Sequence, residues 1–184
     1  MSVFVLSSEL KKFMENLDIN LLEKLAKAAH EIFYEDLTIK GHKYGQFTQG
    51  SKKEHGLFKP YAKLSEDEKE SNRNNVRDIP NKLVSVGYLM AQTRGNETPS
   101  KFKNDEIEKL AKMEHERWMQ EKLDNGWHYA KKTDRSTKLH KSLIPWDELS
   151  EDEKEKDRSL VKGIPKILSK VGYSMIKLNK KINC

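Results

Sequence analysis

The sequence has little of several things, and each shortage excludes a class of protein. Its 184 residues contain one cysteine, Cys184. No internal disulfide can form, and a cysteine-based zinc or iron–sulfur site is excluded. No apolar run approaches the roughly 20 residues of a membrane-spanning helix. The start, MSVFVLSSELKK, lacks the basic lead and long apolar stretch of a secretory signal, so a cytoplasmic protein is the expectation. Charge of one sign is not concentrated either. Thirty-five Lys and Arg stand against 29 Asp and Glu, for a net charge of +6, but the signs interleave, as in KLSEDEKESNR. Nucleic-acid binders more often carry a stripe of one sign. The excess reads as a solvated surface with a local anion site, and nucleic acid is not the expected partner.

What the chain does contain is itself, twice. A constant offset of 85 residues carries His30 onto His115, Gly41 onto Gly126, Tyr44 onto Tyr129 and His55 onto His140. The same offset carries Pro60 onto Pro145, Arg73 onto Arg158, Pro80 onto Pro165, and Gly87-Tyr88 onto Gly172-Tyr173. About thirty identities fall in roughly seventy aligned positions without a gap. The copies are set at 18–91 and 105–178, joined by a polar linker over 92–104 and followed by a tail at 179–184. Residues 1–17, with Leu10, Phe13, Met14 and Leu17, have the spacing of an amphipathic helix.

One copy predicts the structure of the other. Asp18 is placed to cap a helix reaching about Asp36, with Leu22, Leu25, Ala29, Ile32 and Phe33 as its apolar face. Ile107, Leu110, Ala111, Trp118 and Met119 repeat that face. Gly41 and Gly126 precede short extended segments, read as parts of β-hairpins. Ser65-x-x-Glu68 and Ser150-x-x-Glu153 are capping boxes opening a charged helix. Pro80 and Pro165 suit the first turn of a further helix, and Gly87 and Gly172 its stop. The fold class is therefore mainly α with short β-hairpins (α+β), built as two pseudo-twofold-related copies. Two small modules bury more packed together than apart, and their seam is the natural place for a ligand.

The candidate site residues each carry two readings. His30 with Phe33, and His115 with Trp118, share one helix face at i, i+3. Either each histidine satisfies a backbone carbonyl and each aromatic is core, or Phe33 and Trp118 face each other across the seam and stack on a flat ring. Tyr44, Tyr129 and Trp127 either cover the helix core or wall the same cleft. The loop KKTDRSTKLHK, with Lys131, Lys132, Arg135, Lys138, His140 and Lys141, is either solvated or holds phosphate. Its counterpart, with Lys52, Lys53 and His55, is less basic, so an anionic ligand end leans toward the second copy. Arg73 and Arg158 read as ties from their helix to a neighbouring carboxylate or carbonyl. Enzyme motifs are not found. HEIFY and HERWM begin like a zinc-protease helix, but Tyr34 and Met119 stand where a second histidine is needed. No metal or cofactor is expected.

HERW, NGWHYAKKTDRSTKLH, LIPWDEL, EDEKEKDR and KVGY, in that order, resemble the ryanodine receptor (RyR) repeat domain. The resemblance spans about Glu106–Leu178, and the first copy matches more loosely through HEIF, KGHKYG, KKEHG, KPYAKL and DEKESNR. The first copy departs at Phe33 and His42, where the family has tryptophan, and at Asn72, where it has aspartate before the arginine. Gly56 and Lys141 replace the family's proline after histidine. The resemblance implies paired repeats holding an adenine nucleotide ringed by the HExW tryptophans. It places that role on Phe33 and Trp118, with Lys122 and Trp127 nearby. It further implies a nucleotide sensor or sequestering sponge, of the sort that reads second messengers in bacterial antiviral defence. A protein-interaction module without a small ligand is the rival reading, and homo-oligomerisation is left open.

Overall fold

The computed structural model describes residues 17–45, 54–94 and 100–178. The N-terminal segment 1–16, Lys52 and Lys53, part of the linker and the tail at 179–184 lie outside the described residues. The elements run α1 (Ile19–Ile39), β1 (Lys43–Tyr44), β2 (Glu54–His55), a 3-10 turn (Tyr61–Lys63), α2 (Glu66–Arg77), α3 (Ile79–Ser85) and β3 (Tyr88–Gln92). They repeat as α4 (Asn104–Asp124), β4 (His128–Tyr129), β5 (Leu139–His140), a 3-10 turn (Trp146–Glu148), α5 (Glu151–Lys162), α6 (Ile164–Lys170) and β6 (Tyr173–Lys177). The fold is mainly helical with a few short strands, as the sequence indicates.

Local chemistry explains most of these boundaries. The Asp18 carboxylate accepts from the Asn20 and Leu21 backbone amides at 2.9 and 3.2 Å and starts α1. Leu22, Leu25 and Ala26 are buried along it, whereas Ala29, Ile32 and Phe33 are only half-buried. At the far end Gly41 adopts φ 70°, and the His42 amide reaches back to the Leu37 carbonyl. Gly126, at φ 75°, closes α4 in the same way, with the Trp127 amide bonded to the Lys122 carbonyl. A residue without Cβ adopts this left-handed cap at no steric cost. Ser65 and Glu68 complete a reciprocal capping box on α2. The second box is only half made. Ser150 Oγ accepts from the Glu153 amide, but the Glu153 carboxylate turns to Ser142 Oγ, Lys141 and Lys156. The expected reciprocal arm is lost there because two ammonium groups outcompete one backbone N–H for a carboxylate.

The hairpin reading is corrected. β1 pairs with β2, and β4 with β5, in parallel, through two residue pairs each. In the second copy the reversal is made inside the loop instead. Asp134 Oδ1 accepts from the Ser136 amide and hydroxyl, Asp134 bridges Leu139, and Lys138 takes φ 55°. The chain has turned before it reaches β5, which then runs alongside β4 in the same direction.

The sequence copies do not coincide with compact units. One unit comprises Met1–Pro99 with Pro165–Cys184, the other Ser100–Ile164. In the first unit β6 pairs antiparallel with β3, in the register Tyr88↔Lys177, Met90↔Met175, Gln92↔Tyr173. Met90 and Met175 are equivalent residues of the duplication, so a local twofold axis passes through their pair. The flanking bonds obey it: the Thr93 amide reaches the Gly172 carbonyl at 2.9 Å, and the Leu178 amide the Gly87 carbonyl at 2.8 Å. A lone strand leaves its backbone polar groups unpaired; its own duplicate satisfies one edge. Lys166 and Lys170 of α6 pair with Glu35 of α1 at 2.7 and 3.0 Å. The core of this unit gathers Leu25, Val76, Ile79, Leu83, Tyr88, Leu168 and Met175. In the second unit, Leu110, Ala111, Leu143, Trp146, Leu149 and Val161 are buried.

Arg73 and Arg158 bind carboxylates, as the sequence reading expects. Arg73 bonds Glu23, Glu66 and Glu70, and Arg158 bonds Glu108 and Glu151. Each thereby ties the charged helix to the first helix of its copy.

Candidate functional site

In the second unit, α4 presents Trp118 and, one turn on, Lys122. The Gly126 cap then folds Trp127 back over that turn. In such a cap the side chains of the third residue from the helix end and the second residue beyond it meet. Here those residues are Lys122 and Trp127, and the Lys122 ammonium lies 5.2 Å from the indole centroid. The cap thus builds a cation–π contact. Strand β5 adds His140, whose ring stands edge-on to Trp118 at 4.9 Å and to Trp127 at 6.2 Å. His140 Nδ1 accepts from the Ser142 amide at 3.1 Å, which fixes its ring and tautomer. Trp118, Lys122, Trp127 and His140 are all half-buried, leaving surface for a ligand.

Electrostatics suit this cluster to an anion. Burial lowers the Lys122 pKa; Glu121 opposes the shift, and Arg135 and Arg117 add to it. A partly desolvated cation beside further cations gains most from an arriving negative charge. Burial also pulls His140 down to about 4, with Lys122 and Arg135 adding to the shift, so at neutral pH it is an uncharged wall. Arg117 is engaged by Glu114 and Glu121. Among the described residues no group of His, Cys, Asp and Glu is arranged to hold a metal ion.

The first copy has the same frame with weaker chemistry. His55 stands edge-on to Phe33 at 5.2 Å and lies 6.4 Å from His42. His55 Nδ1 accepts from the Leu57 amide, the same bond that His140 makes. Leu37 occupies the place of Lys122, and His42 that of Trp127. Cation and indole are both absent, while the flat wall of Phe33 remains.

The remaining candidates fall into three places. His30 and His115 are each only 2% exposed. Their Nε2 atoms meet the Lys59 and Ile144 carbonyls at 2.7 and 2.8 Å, 29 residues downstream in both copies. They pin the Pro60 and Pro145 turns and lie behind Phe33 and Trp118, at 6.2 and 5.8 Å between ring centroids. Tyr44 and Tyr129 are 59% and 55% exposed, so neither covers a helix core. Arg135 is exposed near Lys122, whereas the Lys138 ammonium donates to the Asn125 carbonyl at 3.0 Å. One of the three Lys138 N–H donors thus serves the carbonyl end of α4, where the helix dipole favours a cation, and the others stay on the exposed loop with Arg135. Sequence reasoning missed two charged contacts of this unit. One is the Glu114–Arg117–Glu121 cluster, legible from its i, i+3, i+4 spacing. The other joins Asp157 to His115, and its one signal was aspartate where the first copy has Asn72.

Two segments, 4–92 and 99–177, match the family model of the RyR domain. The chain belongs to the RyR domain family. It carries two RyR domains in tandem, and together they account for nearly all of it. Among the described residues no helix is long and apolar enough to cross a membrane. The HExW tryptophan of the second RyR domain is Trp118, and the first RyR domain has Phe33 there.

Proposed function

We propose that this tandem RyR-domain protein binds an adenine-type nucleotide, either a mononucleotide or a cyclic or ADP-ribose-like signal. The observation that carries the reading is the second unit's cluster, in which a partly desolvated ammonium group lies over the Trp127 indole and an imidazole stands edge-on to that indole and to Trp118. Planar aromatic walls select a flat base, and each stack contributes about 1–3 kcal/mol. Lys122 and Arg135 select the phosphate, at about 1.5–3 kcal/mol per charge-assisted bond. After the cost of ordering the ligand, affinity in the micromolar range or better follows. Such a binder serves as a sensor or as a sponge for a nucleotide signal, the roles implied by the family resemblance.

Isothermal titration with AMP, ATP, cyclic AMP and ADP-ribose, against adenosine, tests the reading. The expected result is saturable binding of at least one nucleotide that Trp118→Ala abolishes. No heat and no rise in melting temperature with any of these compounds would favour the rival reading of a protein-interaction module, with the charged helices as its contact surface.

A further inference from the structure

Behind the half-exposed Trp118 lies an arrangement that the binding reading does not use. His115 sits between two indoles, 5.8 Å from Trp118 and 6.0 Å from Trp146 by ring centroids. Its Nε2 faces the Ile144 carbonyl at 2.8 Å. Its Nδ1 faces Asp157 Oδ2 on α5 at 3.5 Å. Both partners are acceptors. A neutral imidazole has one N–H and satisfies only one of them; the doubly protonated ring satisfies both. The side chains are nearly enclosed, 2% exposed for His115 and 15% for Asp157, so water does not readily substitute for either bond.

We propose that Asp157 is a positioning residue: it holds His115 as a buried imidazolium against the inner face of Trp118, and so ties nucleotide affinity to that proton. With Nε2 bonded to a carbonyl and Nδ1 facing a carboxylate, the ring is restrained from both sides and Trp118 rests on it. The first copy has Asn72 at the equivalent position, and its amide donates to the Glu68 carbonyl instead. The device thus belongs to the copy that carries Lys122 and Trp127.

The charges around the pair are compatible with it. Burial works against the imidazolium, but the Asp157 carboxylate, the Ile144 carbonyl and then Glu116 on α4 outweigh it, and the His115 pKa is raised. Burial raises the Asp157 carboxyl as well, with Glu114 on α4 and Glu153 on α5 adding to the shift and His115 opposing it. The two groups together hold a proton more tightly than either does in water. Since the native pair binds the proton more tightly than the unfolded chain, its stabilising contribution is complete below the unfolded imidazole value of 6.5. It is lost as pH rises through the native value.

The affinity part rests on the nucleotide reading; the protonation part does not, and the test separates them. Nitrogen-15 spectra of the histidine side chains, without ligand, are recorded against pH for the native protein and Asp157→Asn. The native His115 ring is expected to stay doubly protonated through neutrality, and the variant's ring to be neutral there. Asp157→Glu, which keeps the charge, is expected to retain the native titration. A native ring already neutral at pH 7, or one titrating alike in native protein and Asn variant, overturns the dyad. The native measurement decides this even if a variant fails to fold, although Asn72 shows that the fold accommodates asparagine at this position. Titration with AMP is expected to show Asp157→Asn weaker by about fivefold or more at pH 6.5, the gap closing as pH rises and the native ring deprotonates. Equal affinity at every pH overturns the coupling. Absence of AMP binding by the native protein refutes the nucleotide reading and the coupling with it, leaving the ring titration to decide the dyad.

Discussion

Removing Glu114 alone should harm the protein more than removing Glu114, Arg117 and Glu121 together. The Glu114 carboxylate is only 2% exposed, and it takes two bonds from the Arg117 guanidinium at 2.8 and 3.1 Å. Arg117 is itself only 18% exposed and bonds Glu121 at 2.5 Å. Glu114→Ala strands a guanidinium out of water with one carboxylate instead of two. Breaking a buried pair costs about 3–5 kcal/mol; with Glu121 still in place, about 2–4 kcal/mol is expected. The duplication supplies the repair. The first copy has Ala29 and Ile32 at these positions, so a helix of this fold already accommodates the apolar pair. Combining Glu114→Ala and Arg117→Ile with Glu121→Gln, so that no carboxylate is left without its guanidinium, removes the three charges together and should return to within about 1 kcal/mol of the native protein or exceed it. Urea unfolding followed by circular dichroism measures all three proteins, and an unchanged m-value shows that the compared states are the same. A combined variant at least as unstable as Glu114→Ala would refute the reasoning, because it would mean that the charges are not coupled.

Two further outcomes follow from the same geometry. Arg135→Ala should weaken a phosphate-bearing ligand by about tenfold while leaving adenosine unaffected; equal losses for nucleoside and nucleotide would remove Arg135 from the anion site. On acidification the protein should lose stability in two stages, because both His140 and Glu153 are held below their ordinary values. The unfolded chain takes up protons first, between 6.5 and about 4 for His140. For Glu153 the window lies between 4.5 and about 2; burial opposes that shift, and Lys156, Lys141 and Ser142 outweigh it. Glu153→Gln should flatten the lower stage in a series of melting temperatures against pH, and a lower stage unchanged in the variant would contradict the assignment.

Local physics was readable from the residues. Asp18, Ser65, Pro80, Gly41 and Gly126 act within one or two turns of themselves, so caps, kinks and stops followed from spacing. The duplication made every such reading testable on its twin. Non-local contacts were less accessible. Nothing in YLMAQ or YSMIK states which strand it will pair with, and the twofold pairing through Met90 and Met175 emerges only in three dimensions. In the second copy the reversal lies in an Asx turn at Asp134, whose geometry a coarse pattern does not capture, so its two-residue strands read as a hairpin. At the candidate site, Trp118, Trp127, Lys122 and His140 were picked from residue type and resemblance, and the structure brings these four together within one unit. The bond from the Lys138 ammonium to the carbonyl end of α4 has no signal in the sequence, where Lys138 looks like any other cation of the loop.

The most direct measurement of the central claim uses the three tryptophans, all of which lie in the second unit. Trp118 and Trp127 line the cluster with part of each ring open, while Trp146 is buried under the Pro145 turn. Their indole N–H resonances, assigned by single Trp→Phe changes, can be followed during titration with a nucleotide. Trp118 and Trp127 are expected to move with one binding isotherm, and Trp146 to stay within a small fraction of their shift. Saturable binding that leaves Trp118 and Trp127 unmoved would contradict the claim.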